Sequence, residues 1–326
     1  MFKRLLKFFR EKIRMGMFKQ AHKAMESLPD FQGISLYDIG AAGEIEPRWK
    51  NFEAQLYYFG FEPDSRSTKE LIKKETKCRG YTVYPYALGQ TSGTSIFYET
   101  NKPVLSSFLK PNLELLRIFP ESNRWEICGQ SQLPLSSLDE LQTGKVDFLK
   151  IDTQGSELDI LRGAKSTLSK CVGIEVEVEF IDLYIDQPLF GEVATFLRDL
   201  DFHFIDFINI CRWEQMKWTE NKNWHNGLGQ CVFGDALFLR KPEYIVLRNS
   251  KQEISTYLAC LLLYQRFDLI EITINQIHHD IRESYQLFNL KSYKLRKRFN
   301  LSLKIHKYID IIHSMLGINS RSHLLY

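Results

Sequence analysis

Twice along this chain an apolar run ends in an aspartate, turns through glycine and opens into a helical pattern. The first occurrence is ISLYDIGAAG at residues 34–43, the second KVDFLKIDTQGSELDILRGA at residues 145–164. A short apolar run of this kind reads as a buried strand, and a glycine behind it lets the backbone turn sharply and approach a bound molecule. In the second copy Val146 to Ile151 form the strand, Asp152 ends it, Gly155 turns the chain, and Ser156 caps a helix with Leu158, Leu161 and Ala164 on one side. Strand, acid, turn and helix recurring in one order define a doubly wound α/β sheet, whose ligands sit outside the carboxyl ends of its strands. Asp38, just before the turn at Gly40, Ala41 and Gly43, is placed to accept hydrogen bonds from a ligand ammonium or from the loop itself.

Further strands follow. QLYYFGFEPD at 55–64 ends in Glu62 and Asp64. An acid there, about 20 residues after the glycine turn, suits the two hydroxyls of a ribose. SRSTKELIKKE reads as a helix capped by Ser65 or Ser67, the latter with Glu70 in a capping box. YTVYPYALG at 81–89 reads as one strand closing on small residues at Ala87 to Gly89, where a flat base can lie, and the Ser106–Ser107 pair is placed to face a ligand. CVGIEVEVEF at 171–180 alternates strictly, with Glu175, Glu177 and Glu179 on one face. Carboxylates in a row are costly to bury unless paired; the face is either solvated or arginine-paired, or Glu177 or Glu179 lines a substrate cleft. Strands at 203–210 and 235–241 enclose an insertion holding Trp213, Trp218, Trp224 and His225. Its tryptophans offer flat faces to a sugar or form a small core of their own. His225 is either a general base or structural.

The ends differ from this middle. Residues 2–17 carry Phe2, Leu5, Leu6, Phe9, Ile13 and Met17 among six cations, a basic amphipathic helix suited to anionic lipid or to packing on protein. Three parts are expected: that helix and a linker at 1–32, an α/β domain at 33–242, and a helical region at 243–326 with Ile270, Ile274, Ile277, Ile281, Tyr285 and Phe288 as an apolar stripe. Those helices also offer a surface for homo-oligomerisation. A net charge of +3 gives no reason to expect a nucleic-acid partner. Six scattered cysteines without a CxxC pair, and no cleavable signal, point to reduced thiols in a cytoplasmic protein, on or off the inner face of a membrane. No metal-ligand cluster stands out in the sequence.

A glycine turn after one strand and an acid after the next fit two cofactors, a dinucleotide or S-adenosylmethionine. Dinucleotide sites use GxGxxG to bring a pyrophosphate to a helix N-terminus. Here Gly40 is followed by two alanines and Gly43, so the second glycine is missing. A sulfonium donor has no phosphate to accommodate. At this point the chain resembles the FkbM-type S-adenosylmethionine methyltransferases, on YDIGAAG at 37–43, FEPD at 61–64, YALG at 86–89, LSSF at 105–108, SLDEL at 137–141, the segment at 147–164 and the IEVEVEF strand.

The resemblance covers about residues 33–241. It implies a class I methyltransferase sheet of seven strands, the last antiparallel, and methylation of a hydroxyl on a sugar, glycan or related metabolite. It places Asp38 and Gly40 at the methionine part of the donor, Glu62 at the ribose, the Ala87 region at the adenine and Asp152 beside the transferring methyl. The family's usual acid is replaced here by Gln154. Candidates for the base that removes the hydroxyl proton are Asp152, Glu179 and His225. A divalent metal is an alternative means of acidifying the hydroxyl. A different class of function, a non-catalytic interaction module in which an inherited fold brings the basic ends to a membrane or glycan-assembly complex, is favoured by Gln154.

Overall fold

The computed structural model describes residues 16–141, 144–215 and 229–315. The described residues divide into two compact units, one drawn from 33–45 and 53–241, the other from 16–32, 46–52 and 242–315.

The first unit is built on β1 (Ile34–Ile39), β2 (Leu56–Phe61), β3 (Gly80–Tyr84), β4 (Ala87–Leu88), β5 (Gly93–Thr100), β6 (Ile127–Ser136), β7 (Phe148–Ile151), β8 (Gly173–Glu179), β9 (Phe202–Trp213) and β10 (Gln230–Arg240). Seven of these form one sheet in the order β3-β2-β1-β7-β8-β10-β9. β1 pairs in parallel with β2 and β7, and β7 with β8, whereas β10 runs antiparallel to both β8 and β9. The expected seven-stranded, doubly wound sheet with its last strand antiparallel is therefore present. The chain order reverses beside β1, where β2 leaves to one side and β7 to the other, and ligands collect at the strand ends of such a switch point. A core of Tyr37, Ile39, Leu149, Ile151, Ile174 and Val176 packs on Leu158, Leu161, Val193 and Leu197 from the helices Glu157–Arg162 and Phe190–Asp199.

The stretch at 81–89 is not one strand. Pro85 has no N–H to give to a ladder, so β3 ends at Tyr84, and β4 joins a separate three-stranded sheet in the order β4-β6-β5. The helix Ser65–Ile72 is capped by neither serine: Asp64 accepts from the Arg66 amide at 2.8 Å and from the Arg66 guanidinium at 2.9 and 3.0 Å. An ionised carboxylate is the stronger acceptor at a helix start. The three glutamates of β8 are not solvated; Glu175, Glu177 and Glu179 are all buried, with Lys150 of β7 directly across from Glu175.

The other unit is helical. It contains a helix over residues 16–25 and the helices Lys251–Leu263, Phe267–Gln276 and Gln286–Met315. The apolar stripe expected from Ile270 to Phe288 is buried at Ile270, Ile274, Ile277, Tyr285 and Phe288, but the backbone breaks at Ile277, where φ and ψ become −58° and 135°. The basic stretch at 2–15 lies outside the described residues. Among those described, no helix is long and apolar enough to cross a membrane.

Candidate active site

At the carboxyl ends of β1, β2, β7 and β8 lies a cavity of about 440 Å³. Its floor comes from the two aspartate-ended strands. Gly40 has φ of +80°, and a Cβ there would stand 1.8 Å from the carbonyl oxygen of Asp152. Only glycine brings the ends of β1 and β7 this close. Behind them Lys150 lies with its Nζ 3.5 Å from Asp38 Oδ1 and 3.9 Å from Asp152 Oδ2. Burial alone would lower the lysine pKa; the charges of Asp38, Asp152, Glu175 and Asp235 outweigh it and hold the ammonium protonated. Tyr58 donates to Asp38 Oδ2 at 2.8 Å, while Asp38 Oδ1 has no hydrogen bond.

Glu62 extends from the end of β2 into the cavity. Its Oε1 accepts from the Asp64 amide at 2.7 Å. Burial, with the charges of Asp64, Asp38 and Asp152 added, pushes its pKa up to about 7 against that hydrogen bond.

After β7 the chain turns through Gln154 and Gly155, both at positive φ, +60° and +107°. Glu157 ties the turn together: its Oε1 accepts from the amides of Thr153 and Gly155 at 2.7 and 3.1 Å and from the Thr153 hydroxyl at 3.0 Å. Ser107 donates to the Gln154 carbonyl at 2.7 Å. Thus held, the Gln154 amide nitrogen donates to Asp152 Oδ1 at 2.9 Å and to Glu177 Oε2 at 2.8 Å. Gln154 Oε1 lies 3.1 Å from the Tyr184 hydroxyl, which also stands 2.9 Å from the Leu105 carbonyl. A carboxylate at this position would bring a third negative charge to two others. An amide donates to both instead.

The far wall is aromatic and basic. Phe97, Phe108, Trp125, Trp213 and Phe233 line it with Lys102 and Arg124, and Trp125 and Trp213 meet edge to face at 5.4 Å.

Of the residues singled out in the sequence, Gly40, Glu62 and Asp152 line the cavity together with Glu177, Gln154 and Ser106. Asp38 is buried beneath the lining and engaged by Tyr58 and Lys150. Ala41, Gly43, Ala87 and Glu179 are not part of the lining, where their neighbours Ala42, Tyr86 and Leu88 appear. His225, Trp218 and Trp224 lie outside the described residues. Tyr184, Lys102 and Arg124 carried no sequence signal, because each stands alone in an irregular stretch.

Strand order, switch point and a cavity carrying carboxylates at the ends of β2, β7 and β8 define the class I methyltransferase fold. The chain belongs to the FkbM methyltransferase family: the family model described as Methyltransferase FkbM domain matches residues 38–204. A curated relative, the 2-O-methyltransferase NoeI of Sinorhizobium fredii, is 21% identical over 216 residues, covering 56% of this chain and 82% of the relative. Among solved structures, methyltransferase FkbM from Methylobacillus flagellatus KT is 13% identical with a TM-score of 0.36, covering 65% of this chain and 44% of that one. This chain thus spans less than half of that protein. A precorrin-6y C5,15-methyltransferase from Geobacter metallireducens GS-15 is 12% identical with a TM-score of 0.33, covering 68% of this chain and 88% of that one.

Proposed function

We propose that the protein is an S-adenosylmethionine-dependent O-methyltransferase acting on a hydroxyl of a sugar, glycan or related metabolite. The observation that carries this reading is the glycine cradle at the switch point: Gly40, at φ of +80°, packs against the Asp152 carbonyl, and Gly40, Glu62 and Asp152 line one cavity at the ends of β1, β2 and β7. Close backbone approach after the first strand and a carboxyl acceptor at the end of the second suit an adenosine-bearing ligand, and a sulfonium donor brings no pyrophosphate that would need a second glycine.

When bound, the donor supplies a methyl carbon already activated by positive sulfur. Glu62 accepts hydrogen bonds from the ribose hydroxyls, and Leu88 and Tyr86 cover the base. Asp152 and Gly40 hold the amino-acid end through charge and close backbone approach. The aromatic wall of Trp125 and Trp213 receives the acceptor and excludes water, so that its hydroxyl is held in line, a contribution of up to about 7–11 kcal/mol in ideal geometry. The hydroxyl as target is supported by the 2-O-methyltransferase relative.

Titration calorimetry with S-adenosylmethionine and S-adenosylhomocysteine tests the cofactor. Saturable binding of both at one site is expected; absence of heat with folded protein would overturn the reading.

A further inference from the structure

Resting on the methyltransferase reading, we propose that Glu177 is the group that takes the proton from the acceptor hydroxyl, with Gln154 as its positioning residue.

Three carboxyl groups compete for the role, and their partners separate them. Asp152 has one oxygen on the Gln154 amide and the other facing the Lys150 ammonium at 3.9 Å. Both of its oxygens thus face a partner within the protein. Glu179 is buried behind the lining. Glu177 lines the cavity, with Oε2 on Gln154 at 2.8 Å and no hydrogen bond to Oε1 from any described residue. One oxygen is fixed and the other is open to a ligand.

Its surroundings raise its proton affinity. Burial pushes the Glu177 pKa well up, and the charges of Asp152 and Glu157 beyond β7, Glu179 on its own strand and Asp235 across on β10 add to it. The Gln154 amide is the donor that keeps the ionised form accessible. Gln154 is itself anchored at three points, by Ser107 on its carbonyl, by Tyr184 on its Oε1 and by its left-handed backbone. An amide in this place aims Glu177 without adding charge. In the reaction Glu177 receives the hydroxyl proton as the acceptor oxygen bonds to the methyl carbon. The carbon–sulfur electron pair remains on the sulfur of the demethylated product, so charge and atoms balance.

The test uses the full-length protein and two variants, Glu177→Gln and Gln154→Met. First, infrared difference spectra of donor-free protein are recorded across pH. Carboxyl bands titrating above the ordinary carboxylate range are expected in the wild type, that of Glu62 among them; one of them, assigned to Glu177, is lost in Glu177→Gln and moved to higher pH in Gln154→Met, which has lost the amide donor. Second, labelled methyl transfer from S-adenosylmethionine to a small-molecule cell extract is followed against pH, with donor affinity measured in parallel by calorimetry. Glu177→Gln is expected to lose about 100-fold or more in rate, the range of general-base catalysis, at unchanged donor affinity. The acid limb of the wild-type profile should coincide with the infrared titration of Glu177 and move up in Gln154→Met. Near wild-type transfer by Glu177→Gln, or a Glu177 titration that Gln154→Met leaves in place, would overturn the proposal. Donor binding without transfer by the wild type also counts against it; failure of donor binding itself overturns the methyltransferase reading underneath.

Discussion

Lys150 Nζ stands 3.5 Å from Asp38 Oδ1, and both side chains are nearly buried. This contact joins the ends of β7 and β1, the two strands that carry the aspartates. Breaking a buried pair from one side leaves an uncompensated charge, which typically costs about 3–5 kcal/mol. Lys150→Met is therefore expected to lower unfolding stability by about that amount in urea titrations. Adding Asp38→Asn should recover part of the loss, because the carboxyl group nearest the lost ammonium is then removed, while Asp152 and Glu175 still lack it.

Glu62 makes stability depend on pH. Its folded pKa of about 7 lies above the ordinary value of 4.5, so between those values the folded protein binds more protons than the unfolded chain. Stability contributed by the protonated form is complete below about 4.5 and lost as pH rises through about 7, a total of about 3 kcal/mol. In Glu62→Gln this component of the pH slope should vanish. Donor affinity should respond in the opposite sense, strengthening from pH 6 to 8 in the wild type as the ionised acceptor forms. In the variant that gain should be absent.

Gly40→Ala places a methyl group where the Asp152 carbonyl oxygen stands and requires a left-handed conformation of an L residue. A loss of at least about 2 kcal/mol is expected from the backbone alone. Donor binding should be lost in calorimetry, because separating β1 from β7 opens the cavity floor. Gly43→Ala meets no atom within 4 Å, although its φ of +109° is also left-handed. The smaller effect is expected there.

Arg240 at the end of β10 is buried, donates to the carbonyls of Leu168 at 2.9 Å and Cys171 at 3.3 Å and to that of Leu200, and lies 3.9 Å from the Phe202 ring centroid. Arg240→Met leaves these carbonyls short of a donor, at a cost of about 3 kcal/mol. Arg240→Lys should restore little, since one ammonium cannot span three acceptors in a fixed fork. Thermal unfolding of the two variants beside the wild type reads this directly.

What the sequence made legible is what periodicity and glycine encode. The strands ending at Asp38, Glu62 and Asp152 follow from apolar runs stopped by an acid, and all belong to one sheet. Residues 110–126, which carry no clear periodicity, contain the short helices Leu113–Leu116 and Ser122–Trp125. Elements of four residues have no stable pattern of their own; these are held by Leu116, Phe119 and Trp125 packing on Trp213 and Val232, about 90 to 120 residues away in sequence. Alternation placed Glu177 on the right face of its strand but not its hydrogen bond to Gln154, which depends on a turn held by Ser107 and Tyr184 from two other segments. Ala87 is not a floor for the base, because Pro85 lacks the N–H that would continue the strand, and the chain passes to a second sheet.

The most direct measurement is transfer of an isotopically labelled methyl group from S-adenosylmethionine by the purified protein to hydroxylated metabolites and glycans extracted from cells, with the product located by mass spectrometry. The expected result is a labelled methyl ether on a hydroxyl oxygen, formed with stoichiometric S-adenosylhomocysteine and lost in Asp152→Asn. Label on nitrogen or carbon, or donor bound but never turned over with any extract, would contradict the account.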